Sequence, residues 1–220
     1  MPDICNQITF NKGQQKIIEE KKLQPTFCHN SWSDPDLEPI RKSLRRFYRK
    51  EQKGICAFCK QSVSLKSALN CHVEHIVPKS LHLSFIFIPQ NICVVCADCN
   101  QIKRNQETLN EIPDTINPGI ARKQYPRASS AFKIVHPHFD NYDEHIMIIK
   151  GFYVDKSSKG HFTIGACKLN RKLHEFGWEP PLNKTEINEL MNNFLEEKDS
   201  TQRITLLQRL EKSLKTYQDI

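Results

Sequence analysis

The sequence has no run of about 18 consecutive apolar residues, so no stretch reads as a helix able to span a bilayer. Its start, Met1-Pro2-Asp3-Ile4, lacks the basic-then-apolar pattern of a secretory signal, and a cytoplasmic protein with no membrane partner is expected. There is no internal repeat and no low-complexity tract. Acidic residues are outnumbered, 25 Asp+Glu against 32 Lys+Arg, and the net charge of +7 suits a polyanionic partner such as nucleic acid. What the chain does have is cysteine, 9 in 220 residues. In a cytosolic protein that number argues against a disulfide framework and towards metal. The length allows one domain with appendages or two small domains.

Four of the cysteines fall in two Cys-x-x-Cys pairs, Cys56/Cys59 and Cys96/Cys99. Each pair can direct two sulfurs at one ion through a tight turn, and four thiolates saturate a tetrahedral Zn2+, which makes the site structural. Cys71 and Cys93 are off this spacing and read as core residues. Between the pairs lie His72-Val73-Glu74-His75-Ile76-Val77-Pro78, then an apolar loop, then Asn91. The pattern predicts a strand over 71–76, an irregular loop over 78–89, a strand over 91–95 and a helix over 97–107. At a strand end, Glu74 and His75 can converge on one site. A carboxylate suits Mg2+ or Mn2+, and an imidazole suits proton abstraction from water. Asn100, in the first turn of the last helix, can add a second hard oxygen. His72 reads as a supporting or core residue, since three positions along a strand put it on the face opposite His75.

Flanking segments are less specific. Phe10, Ile17, Ile18 and Leu23 allow a short N-terminal helix, with Phe27 and Trp32 as anchors that dock this arm. Asp34-Pro35-Asp36 predicts a helix start with Asp34 as cap. In the helix begun there, Leu37, Ile40, Leu44, Phe47 and Tyr48 share one face, while Arg41, Arg45, Arg46 and Arg49 on the other could lie along a phosphate backbone or simply be solvated. Turn signals crowd residues 112–138. Beyond them are predicted strands at 133–135 and 146–149, a hairpin through Lys150-Gly151 to 152–154, and a helix over Thr163–Phe176. Trp178-Glu-Pro-Pro181 marks a boundary, and helices beginning at Thr185 and near Thr201 form a C-terminal pair that either caps a core or docks a partner. The fold class is therefore α+β. Three regions are expected: an arm and basic helix over 1–54, a metal-bearing core over 55–107, and a loop-rich then helical region over 108–220.

Glu74-His75-Ile-Val-Pro78, Asn91 and Cys96-x-x-Cys99-Asn100-x-x-Lys103 together resemble the HNH endonucleases, specifically the zinc-bearing members. The match covers about fifty residues. It implies a ββα-metal finger with a four-cysteine zinc site, embedded in a mainly helical chain. It implies His75 as the general base, Glu74 and Asn100 as holders of one catalytic Mg2+ or Mn2+, and Asn91 as the residue that ties the loop. Lys103 and Arg104 would face phosphate. More loosely, the whole chain is similar to the small PtuB-like HNH effectors of Septu-type and retron-associated anti-phage defence systems. That similarity implies an ABC/SMC-like (PtuA-like) ATPase partner, a retron reverse transcriptase complex as a further one, and nucleic acid as substrate, DNA ahead of RNA. The alternative is a non-catalytic, zinc-dependent nucleic-acid-binding or adaptor module.

Overall fold

The computed structural model describes residues 1–110, 124–177 and 185–215, which form a mixed helix-and-sheet structure in two compact units, Met1–Leu169 and Asn170–Ile220. The first unit therefore joins the N-terminal arm and the cysteine-bearing segment to the hairpin region that ends at Leu169. No helix among the described residues is long and apolar enough to cross a membrane. The turn signals at 112–119 and the Trp178–Pro181 boundary lie outside the described residues.

Helix α1 (Lys12–Lys22) opens on a reciprocal cap: the Asn11 side chain accepts the Gln14 N–H at 2.9 Å, and the Gln14 side chain accepts the Asn11 N–H at 3.0 Å. Asp34 stands at the N-cap position of a 3-10 turn, with Pro35 first and Asp36 in its first turn as predicted, but its side chain makes no cap hydrogen bond. Its carboxylate meets the buried Lys21 ammonium at 2.6 Å, and Asp36 meets the same ammonium at 2.9 Å. The arm is thereby tied to the entry of the next helix, and a 3-10 turn at Pro35–Leu37 intervenes before α2 (Glu38–Glu51). Ile40, Leu44 and Tyr48 of α2 are fully buried at helical spacing.

A two-stranded antiparallel sheet comes next, β1 (His72–His75) and β2 (Ile92–Val95), in the register His72↔Val95 and His75↔Ile92. Helix α3 (Ala97–Lys103) comes directly after β2 and packs on β1. It ends at Lys103, short of the predicted Glu107, because Arg104 takes a positive φ of 46°. The apolar loop between the strands folds inward: Phe85 and Ile86 are fully buried and Phe87 nearly so. Gln52, just past α2, acts as an extra strand partner for β2. Its side chain accepts Val94 N–H at 2.8 Å and donates to Val94 O at 2.9 Å.

Helix α4 (Tyr142–His145) is one turn long and leads into the hairpin β3 (Ile146–Ile149) and β4 (Phe152–Asp155). Lys150 and Gly151 both take positive φ, as a tight two-residue hairpin turn requires. Segment 133–135 is not a strand. Only an isolated bridge joins Phe132 to Leu109, so the segment lacks a partner long enough to pair with. Helix α5 (Ser158–Cys167) is capped by Ser157 and passes so close to His145 that a Cβ at Gly160 would fall 1.9 Å from its carbonyl oxygen. The helix predicted over 163–176 is interrupted where Lys168 adopts a left-handed conformation, φ 44°.

The second unit holds α6 (Arg171–Phe176), α7 (Thr185–Glu196) and α8 (Ser200–Lys215). The last two pack together as the expected helical hairpin, with Ile187, Met191, Phe194 and Leu210 buried. Arg203 lies 4.2 Å from the Phe194 ring and donates to the Phe194 and Glu197 carbonyls at 2.9 Å, which closes the turn between them. The side chain of Leu214, and Tyr217, lie outside the described residues.

Candidate metal centre and active site

Cys56, Cys59, Cys96 and Cys99 are all buried, and their sulfurs lie within 4.8 Å of one another. Two ligands on a tetrahedral zinc at about 2.3 Å are about 3.8 Å apart. Cys59 and Cys96 are separated by 3.7 Å, and the group as a whole could hold a metal such as zinc. Local structure explains the convergence. Lys60 takes a positive φ of 56°, which closes the first Cys-x-x-Cys as a knuckle, and Lys60 N–H returns to Cys56 O at 3.1 Å. The second pair is the first turn of α3, where Cys96 Sγ accepts the Cys99 N–H at 3.4 Å. Hydrogen bonds from Cys56, then Cys59 and Cys99, hold the Cys96 thiol far below its ordinary range, while Cys99 is driven up. Uncompensated, four thiolates cannot share this space; a divalent cation resolves the conflict. Two tyrosines brace the knuckle from outside: Tyr142 Oη donates to Phe58 O at 2.7 Å, and Tyr153 Oη donates to Cys59 O.

The second candidate site is built on β1 and the last turn of α3. Glu74 Oε1 accepts the Lys103 ammonium at 2.8 Å, and Lys103 also donates to the main-chain oxygen of His75 at 3.0 Å. Lys103 is fully buried, and the Glu74 side chain is 10% exposed. The expectation that Lys103 faces phosphate is therefore replaced by a buried ion pair that joins α3 to β1. Glu74 makes no second hydrogen bond among the described residues, so one carboxylate oxygen is left for a ligand. Asn100 lies one turn before Lys103, partly buried, and its side chain bonds to no described residue. No hydrogen bond joins it to Glu74. Glu74 and Asn100 each offer a hard oxygen, one from β1 and one from α3. Among the described residues the thiol cluster is the only grouping of three or more His, Cys, Asp or Glu ligands.

His75 is 5% exposed. Its Nε2 faces the Ile86 carbonyl at 3.0 Å, and since a carbonyl only accepts, Nε2 carries the hydrogen and Nδ1 the lone pair. Burial pushes its pKa down to about 3, with help from the positive charge of Lys79. Trp32 packs edge-on against the imidazole at 4.6 Å, so the N-terminal arm covers the histidine rather than merely anchoring itself. Asn91, fully buried, holds the loop by three bonds: Val77 N–H donates to Oδ1 at 2.7 Å, and Nδ2 donates to Val77 O and Phe85 O at 3.1 Å each. It thereby fixes the residue next to the carbonyl that His75 contacts. His72 turns away, its Nε2 3.0 Å from Leu69 O.

The basic helix also departs from expectation. Arg41 donates to Trp32 O and Asp34 O, Arg45 to Cys71 O at 2.9 Å, and Arg49 to Leu65 O. These three arginines, spaced by four, staple α2 to three loops of the chain itself. Arg46 is exposed, as are its neighbours Lys42 and Lys50, and Arg104 is exposed at the end of α3. Lys79 was missed in the sequence although it comes directly after Pro78. It is partly buried, it feels the charges of Glu74 and Lys103, and its own charge acts on His75. Neither the scan against protein-family models nor the search of curated proteins finds a match to this chain.

Proposed function

We propose that this chain is a zinc-bearing HNH endonuclease that hydrolyses phosphodiester bonds in nucleic acid. The observation that carries the reading is that Lys103, on the cysteine-clamped helix that bears Asn100, joins the Glu74 carboxylate to the backbone of His75, whose loop Asn91 ties. A structural finger needs the four thiols; it does not need a buried neutral imidazole beside a carboxylate with a spare oxygen.

In this reading His75 is held neutral, with Nε2–H spent on Ile86, and Nδ1 accepts a proton from water as the water oxygen bonds to phosphorus and the ester P–O bond breaks. Asn91 keeps the imidazole in place through the loop. Lys103 positions Glu74 and the backbone beneath His75. A Mg2+ or Mn2+ ion held by Glu74 and Asn100 would supply Lewis-acid stabilisation of the phosphate and the leaving oxygen. Following the looser resemblance, we propose that the nuclease works under an ABC/SMC-like ATPase in anti-phage defence. Co-purification with an ATPase encoded beside it tests that assignment.

The nuclease assignment is tested with plasmid DNA and RNA, Mg2+ or Mn2+, and zinc-loaded protein with and without the ATPase. Cleavage by the native chain and a loss of about 10²–10⁴-fold in His75→Ala, at unchanged zinc content, are expected. Full activity in His75→Ala contradicts the mechanism. Salt-dependent binding without cleavage under any divalent metal would instead identify a non-catalytic binding module.

A further inference from the structure

The charges around Glu74 do not balance. Glu74 is bonded to the Lys103 ammonium, a second cation, Lys79, lies close enough to feel both charges without touching either, and the neighbouring imidazole is neutral. Lys103 is spent: it is fully buried and bonded to Glu74 and to the His75 carbonyl. Lys79 is not. Among the described residues its ammonium makes no hydrogen bond and no ion pair, although the side chain is partly buried. Desolvating a cation without a partner is unfavourable, and here burial, the largest influence, lowers its pKa despite the nearby carboxylate.

The stem of Lys79 is held firmly. Two residues earlier, Val77 is clamped at both its N–H and its carbonyl by Asn91. Next in the chain, the Pro78 carbonyl accepts the N–H groups of Leu81 and His82 at 3.1 and 3.0 Å, which makes a tight turn. The far side of that turn is pinned by His82 Nε2, 2.6 Å from Glu107 Oε2. A rigid turn thus presents one uncompensated positive charge beside the candidate base and carboxylate, a poor arrangement for the empty protein and a good one for an oxyanion.

We propose that Lys79 is the phosphate-contacting residue of this site, holding a non-bridging oxygen of a nucleic-acid phosphodiester beside Glu74 and His75. The assignment rests on the nuclease reading and adds to it the group that orients the substrate. Arginine can replace lysine in this role, since only a positive donor is needed at the phosphate.

The experiment uses the full-length, zinc-loaded chain and fluorescein-labelled duplex and single-stranded DNA of several sequences, without added Mg2+ or Mn2+. Affinity is followed against salt concentration. Lys79→Met is expected to weaken binding about tenfold, equally across sequences, and to reduce the slope of log K against log salt on duplex DNA by about 0.9, one phosphate contact. Lys79→Arg should restore both, and Lys66→Met, an equal loss of charge at an exposed position, should change the affinity far less. Lys79→Met should also melt at or above the native temperature, because it removes a partly desolvated charge that has no partner among the described residues; a structural lysine would behave the opposite way. Native binding with an unchanged slope and affinity in Lys79→Met overturns the assignment alone. Failure of the native chain to bind or cut any nucleic acid, with or without its ATPase, overturns it together with the nuclease reading.

Discussion

Two sites share the short sheet and its helix, and they are built on opposite principles. The thiol site is self-complementary: four like ligands from two knuckles converge on one point, and a single cation satisfies them all. The Glu74 site is mixed. It contains an ion pair, a neutral imidazole, and an amide and an ammonium that have no partner among the described residues, and no single ion resolves all of these together. A site that one metal completes holds shape. A site left with a spare oxygen, a lone pair and a surplus charge is arranged for something that arrives. Helix α3 links the two, since its first turn carries Cys96 and Cys99 and its last turn carries Lys103.

The largest way to break the contrast is to empty the thiol site. Cys56→Ser or Cys99→Ala should lose zinc and unfold the first unit, because structural zinc contributes about 10–16 kcal/mol in small fingers. Zinc analysis and circular dichroism on the variant check this, and a variant that keeps one zinc and its melting temperature would refute the ligand set. Next is the ion pair. Lys103→Met leaves Glu74 unpaired and should cost about 3–5 kcal/mol, much of it recovered in the double variant with Glu74→Gln. Urea titration of the single and double variants decides it; equal stability of the two would mean the pair is not coupled. Asn91→Ala removes three buried hydrogen bonds and should cost about 3 kcal/mol, with a loosened loop visible as faster amide exchange at Val77.

Acid should act in a defined direction. An unfolded histidine titrates near 6.5, and folded His75 is pushed down to about 3. Burial also lowers His136 and His138. Between these values the unfolded chain holds protons that the folded chain does not, so unfolding becomes easier as pH falls below about 6.5 and stability is fully present above it. Within that window His75 adds a slope of about 1.4 kcal/mol per pH unit, and His136 and His138 act in the same direction. Stability measured between pH 7 and 4.5 should show this slope, reduced by about one proton in His75→Gln. The smallest effect separates the arginines of α2: Arg45→Ala should lose about 1 kcal/mol of stability with its bond to Cys71 O, whereas exposed Arg46→Ala should leave stability within about 0.5 kcal/mol.

Legibility in the sequence divides the same way. The thiol cluster could be read because its ligands are local pairs whose spacing itself dictates the turn. Strand, loop, strand and helix were legible from the apolar pattern and from Pro78 and Asn91. Long-range partners were not. Nothing in the periodicity of α2 distinguishes an arginine facing water from one reaching Cys71 or Leu65 across the chain, since both sit on the polar face. Lys103 looked like a phosphate contact because charge near a helix end is usually exposed, yet its partner Glu74 lies 29 residues earlier in sequence. The break at Lys168 had no glycine to announce it. Lys79 went unread because its meaning lies in a missing partner, which only the folded arrangement of neighbours reveals.

The thiol site is proposed to hold shape and the Glu74 site to hold a reactive ion. The direct measurement is metal counting on one preparation: zinc by elemental analysis and Mn2+ binding by electron paramagnetic resonance, in the native chain and in Glu74→Gln. One tightly held zinc is expected in both proteins, and one weaker Mn2+ site in the native chain that Glu74→Gln loses. Unchanged Mn2+ binding in Glu74→Gln, or loss of zinc from it, would mean that the two sites do not divide these duties.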